Sequence, residues 1–152
     1  MTRDSGRLIG IAWKEKPRQP MHEASHALIM LEAGVAGDFR GAPGERQVTI
    51  VFAQDWAEAC AALGETRAWS IRRANLLVEG LANPRASGGV LKVGNAELAI
   101  TGETKPCSNM DRQWPGLTEA LSPDWRGGLT ARVLRGGEVR VGDGVVLERG
   151  QN

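Results

Sequence analysis

The chain has 152 residues, 41% of them hydrophobic and 24% charged, with a formal net charge of +1. That describes one globular domain over residues 1–152 and excludes binding of nucleic acid by bulk charge. The longest apolar stretch, Ala27 to Leu31, is far short of the roughly 20 residues that span a bilayer, so no membrane segment is expected and the cytoplasm is the expected compartment.

In chain order, short segments of alternating or apolar character punctuated by glycine predict strands. They run at Leu8 to Trp13, Ala27 to Leu31, Gln47 to Phe52, Asn75 to Val78, Val90 to Val93, Glu97 to Thr101, Leu129 to Leu134, Glu138 to Val141 and Val145 to Leu147. Between them, Asp55 to Leu63 reads as a helix with Trp56, Cys60 and Leu63 on one face and Gly64 as its stop. Short helical pieces are expected from Ser108, with Asp111 completing a capping box, and from Leu117 to Leu121. Two hairpins are predicted, at Gly94-Asn95 and at Gly136-Gly137. The fold class is mainly β, barrel-like or sandwich-like with mixed strands and a few short helices.

Two cysteines, Cys60 and Cys107, fit neither a disulfide framework nor a Cys-x-x-Cys metal site, so both are expected as free thiols. Cys60 falls on the buried helix stripe as filler. Cys107 lies in the polar loop Thr104-Lys105-Pro106-Cys107 after a strand and before a helix start, a placement that presents the thiol beside Lys105 and favours the thiolate.

Three other clusters carry possible chemistry. His22-Glu23-Ala24-Ser25-His26 matches the zinc string H-E-x-x-H literally, but it follows Pro20, precedes a strand and has no third histidine, so Glu45 or Asp38 would have to complete the site. The plainer alternative is an exposed loop-to-strand segment. Gly34 to Gly41 with Asp38 and Arg40, followed by Arg46 at a strand start, permits a tight loop holding an anion between guanidinium groups, with Asp38 orienting one of them. Arg73 and Asn75 are expected on one face of a strand, with Arg72 pointing away. Fifteen of the nineteen basic residues are arginine; this suits phosphate or carboxylate and equally fits a genome rich in G and C.

The order of these pieces is distinctive: Gly34 to Asp38, Arg46 entering a strand, Arg73 with Asn75, a hairpin at Val90 to Thr101, Pro106-Cys107, Arg132-Val133 and Val141-Gly142-Asp143. It resembles the MOSC domain, the module named for the C-terminal region of molybdenum cofactor sulfurase, over about Ile9 to Val146. The resemblance implies a barrel of the pyruvate-kinase β-barrel-like type with a pocket. It also implies that the cysteine matching Cys107 carries sulfur or ligates the molybdenum of the pterin cofactor. By the same resemblance Asp38, Arg40, Arg46, Arg73, Asn75 and Lys105 become pocket residues. No pyridoxal phosphate site is expected. A sulfur donor such as a cysteine desulfurase, or an electron-transfer reductase, would be a separate partner, and the ligand a small molecule. The functions implied are cofactor binding with possible reduction of N-hydroxylated compounds, a non-enzymatic sulfur carrier or adaptor, and, least favoured, a zinc hydrolase.

Overall fold

A computed structural model describes residues 4–149. Its strands are β1 (Ser5–Trp13), β2 (His22–Ala24), β3 (His26–Met30), β4 (Gly34–Val35), β5 (Val48–Phe52), β6 (Leu76–Glu79), β7 (Val90–Val93), β8 (Ala96–Glu103), β9 (Leu129–Arg135), β10 (Gly137–Arg140) and β11 (Gly144–Glu148). The helices are α1 (Ala53–Leu63), α2 (Met110–Gln113) and α3 (Leu117–Leu121).

Seven strands follow one another as β11-β7-β8-β9-β5-β6-β1, and β1 pairs back onto β11, which closes a barrel. All neighbours are antiparallel except β5 and β6, the parallel pair whose crossover contains α1. Strand β2 extends β1 beyond the barrel, and β3, β4 and β10 form a separate small sheet. No helix among the described residues is long and apolar enough to cross a membrane.

The period of two along the strands divides the apolar residues between two cores. Val48, Ile50 and Phe52 of β5 point into the barrel, with Leu76 and Val78, Leu98 and Ile100, and Leu129, Ala131 and Val133. Val51 and Leu77 face outward under a helical layer that includes Trp56, Ala59 and Cys60 of α1 and Leu117 and Leu121 of α3. Strand β5 is buried on both faces, so its sequence, VTIVF, has no polar alternation.

Most predicted strands are present, and Val93 and Ala96 pair across the Gly94 turn as expected. Gly136-Gly137 is not a hairpin turn: β10 pairs with β3, Gly137 opposite Ile29. A Cβ at Gly136 would stand 2.6 Å from the Ile29 carbonyl, so close approach between sheets, not positive φ, requires that glycine. The zinc string is also corrected. It occupies β2 and β3, which belong to different sheets and are separated by a bend at Ser25, so the two histidines do not share one turn of a helix face. His22 packs edge-on against Trp13 at 5.1 Å, Glu23 accepts a hydrogen bond from Ser70, and no metal-ligating group of three exists among the described residues.

Candidate functional site

Chain geometry at the end of β1 and the loop after β4 builds a cluster of cations. The loop turns twice, with Asp38 N–H donating to Val35 O and Gly41 N–H to Asp38 O. Phe39 N–H bonds Lys14 O at 2.8 Å, fastening the loop to the end of β1. Asp38, whose side chain is fully buried, accepts the Lys14 backbone N–H on one oxygen and the Arg73 guanidinium on the other, each at 3.2 Å.

Around the neighbouring Phe39 ring stand three cations: Arg40 at 5.2 Å, Arg73 at 5.3 Å and Lys14 at 5.6 Å from its centre. The ring face attracts each of them, and among the described residues only Asp38 neutralises any of them by direct contact. Burial first, then the charges of Arg73 and Arg40, push the Lys14 ammonium below its usual range. Burial likewise lowers Arg73, which also feels Arg40 and Arg46. Four positive groups therefore meet one carboxylate, a field suited to an anionic ligand.

Arg72 takes the other direction. Its side chain is 1% exposed, and Nη2 donates to Gly127 O at 2.6 Å. Its Nε and Nη1, together with Arg73 Nε and Thr104 Oγ1, are buried and have no hydrogen-bond partner among the described residues. Burial lowers the Arg72 pKa to about 10, with Arg73 adding to the effect, so the group is a cation at neutral pH. Gly127 then leads to the loop with the thiol: a Cβ there would collide with Thr104 O and lie 3.4 Å from the Pro106 ring. Gly128, at φ +100, would drive a Cβ into the Ile50 carbonyl. These two glycines let the segment before β9 lie flat against β5 and against the residues leading to Cys107.

Cys107 is exposed. Its carbonyl accepts hydrogen bonds from Met110 N–H and Thr118 Oγ1, which hold the loop to α3. The predicted cap is corrected: α2 starts at Met110, Asn109 stands at its N-cap without a side-chain bond, and Asp111 accepts the Thr118 N–H instead. The thiol therefore precedes the helix by three residues and does not sit at its N-terminus. Cys60 is buried on α1, as expected.

Of the sequence candidates, the structure brings Asp38, Arg40, Arg46 and Arg73 into mutual influence. Lys105 and Cys107 are exposed on their loop, joined to the arginines through Arg72, Gly127 and Pro106. Asn75 differs. It is fully buried, accepts the Thr49 N–H and donates to Ala12 O, so its amide splices β5 to β1 and has no surface to offer a ligand. Three contributors escaped sequence reasoning: Lys14, Phe39 and the inward-running Arg72. A lysine directly after a strand ending in Trp13 was the available signal for the first.

The described residues thus form a closed mixed barrel with a cation cluster and an exposed thiol. The MOSC domain model matches residues 31–146, and the chain belongs to that family. Among solved structures, the YUAD protein from Bacillus subtilis superposes with a TM-score of 0.85 at 18% identity, covering 99% of each chain. YiiM from Geobacillus stearothermophilus gives 0.75 at 16% identity, covering 93% of this chain and 74% of its own. YiiM from Escherichia coli gives 0.69 at 14% identity over 93% and 69%. At these identities the likeness is one of fold. No curated protein matches the chain.

Proposed function

We propose that the domain binds the phosphate-bearing molybdenum cofactor, with the Cys107 thiolate toward the metal and the cation cluster toward the anionic end. The observation that carries this reading is the excess of positive charge at Lys14, Arg40, Arg46 and Arg73 over the single carboxylate Asp38. Buried guanidinium nitrogens of Arg72 and Arg73 and the Thr104 hydroxyl without partners fit the same ligand class, since unpaired buried donors are costly until an acceptor reaches them. A soft thiolate suits a metal that already carries sulfur ligands. When bound, the cofactor supplies two-electron oxygen-atom chemistry, which in this reading reduces N-hydroxylated small molecules with electrons from a separate reductase.

In that arrangement Arg73 and Arg40 bind phosphate oxygens, Phe39 keeps the three cations gathered, and Asp38 orients Arg73 by its 3.2 Å bond. Lys105, beside the thiol in sequence and exposed, would meet the anionic ligand from the same loop. The experiment is reconstitution with cofactor followed by metal analysis. Wild-type protein should retain one molybdenum per chain, and Cys107→Ser and Arg73→Ala should lose most of it. Full retention by Cys107→Ser removes the ligand role.

A second reading, favoured by the exposure of Cys107, is a sulfur carrier that accepts persulfide sulfur from a cysteine desulfurase. Mass spectrometry after incubation with such an enzyme separates the two, because a gain of one sulfur atom at Cys107 without molybdenum belongs to the carrier.

A further inference from the structure

A recess of about 310 Å³ opens where β5 ends and α1 begins, lined by Phe52, Gln54, Asp55, Glu58, Ala82, Asn83 and Arg85. It shares no residue with the cation cluster. At its base Asp55 is 4% exposed, with one carboxylate oxygen bonded by Asn83 Nδ2 at 2.9 Å. The other oxygen accepts no hydrogen bond among the described residues, although the side chain lines the recess. No cation among them comes within ion-pair distance of Asp55, whereas Glu58 is matched by Arg126 at 3.5 Å.

The walls are held in place at a conformational cost. Asn83 also donates to Trp125 O and accepts the Arg85 N–H, and Arg85, Asp124 and Trp125 all adopt positive φ, a region side-chain-bearing residues rarely occupy. Such strain concentrates at binding sites. Here it fixes the amide that aims the Asp55 carboxylate.

From this geometry we infer that the recess is a second ligand site, taking the ammonium head of a small organic molecule on Asp55 with its short apolar part over the exposed Ala82. An N–H cation matches a carboxylate oxygen that accepts no other hydrogen bond. Arg85, exposed on the rim, leaves room for a ligand that also carries an acceptor. Burial, the leading influence on Asp55, raises its pKa, while the Asn83 bond and the charges of Arg85 and Arg126 pull it down, so a ligand ammonium would share the carboxylate with two arginines that stand outside ion-pair distance.

The test uses three probes of one shape, n-butylammonium, n-butanol and butyrate, titrated into the full-length protein while backbone amide NMR shifts are followed. Butylammonium should produce saturable shifts confined to residues 52–58 and 82–85, and the other two should not. Asp55→Asn, with unchanged shifts elsewhere to show that it folds, should weaken butylammonium binding at least about tenfold. Equal shifts from butanol or butyrate, or no saturable shift from butylammonium in the wild type, overturn the inference even if Asp55→Asn fails to fold. None of these outcomes depends on molybdenum or on Cys107.

Discussion

Arg72 and Lys14 are the residues whose charges the fold tolerates at a cost. Among the described residues Arg72 has one hydrogen bond for five donors, and its buried guanidinium has no carboxylate partner. Desolvation of an unpaired buried ion costs several kcal/mol, against about 1.5–3 kcal/mol for a bond from a charged donor. Desolvation wins, so Arg72→Met should be at least as stable as the wild type in urea unfolding; a loss above about 2 kcal/mol would show that the charge is compensated in the free protein. Lys14 gives a pH test. Its folded pKa lies below 10.5, so between that value and 10.5 the unfolded chain binds more protons and this group's contribution to stability rises with pH. Anion binding runs the other way: affinity for a pyrophosphate probe should fall as pH rises through the lowered pKa, and Lys14→Gln should flatten that fall, as read by calorimetry.

At the scale of elements, buried amides do the joining that strand hydrogen bonds leave undone. Asn75 links Thr49 and Ala12, and Gln47 donates to Leu31 O and Gly41 O while accepting the Val133 N–H. Truncating either leaves buried backbone groups unpaired. Asn75→Ala should cost about 2–4 kcal/mol in urea unfolding, whereas a surface-like loss below 1 kcal/mol would return Asn75 to the list of ligand groups. Strand positions were legible in the sequence because β-branched runs and turn glycines are local signals, as at Val48 to Phe52 and Gly94. The pairing of β10 with β3 was not, since nothing local distinguishes a glycine needed for close approach from one needed for a turn. Asn75 was misplaced for a similar reason: Arg73 precedes β6, so strand alternation does not relate the two. The loop at Asp38, with Arg40 and Arg46, was readable because glycine, acid and arginine lie together in the chain. Phe39 drew no notice because its role depends on three cations meeting in space.

The whole molecule is a barrel wall shared by two cores, with Val51 and Leu77 supporting the helical layer and their neighbours filling the interior. Wall and layer should therefore unfold together. Tryptophan fluorescence, which reports Trp56, Trp69 and Trp114 in the outer layer together with Trp13 and Trp125 against the barrel core, should give one transition with the same midpoint as far-ultraviolet circular dichroism; two fluorescence transitions would mean that wall and layer unfold separately. Arg72 also links the arginine side of the proposed site to Gly127, and the loop of Cys107 is tied to α3 through Thr118. That the cation cluster and the thiol serve one ligand is the central claim, and the rate of Cys107 alkylation measures it most directly. Saturating cofactor should slow alkylation of the wild-type protein at least about tenfold, and Arg73→Ala should abolish the protection at the same cofactor concentration, as expected for loss of a charge-assisted contact. An alkylation rate unchanged by cofactor that is shown to be bound would contradict it.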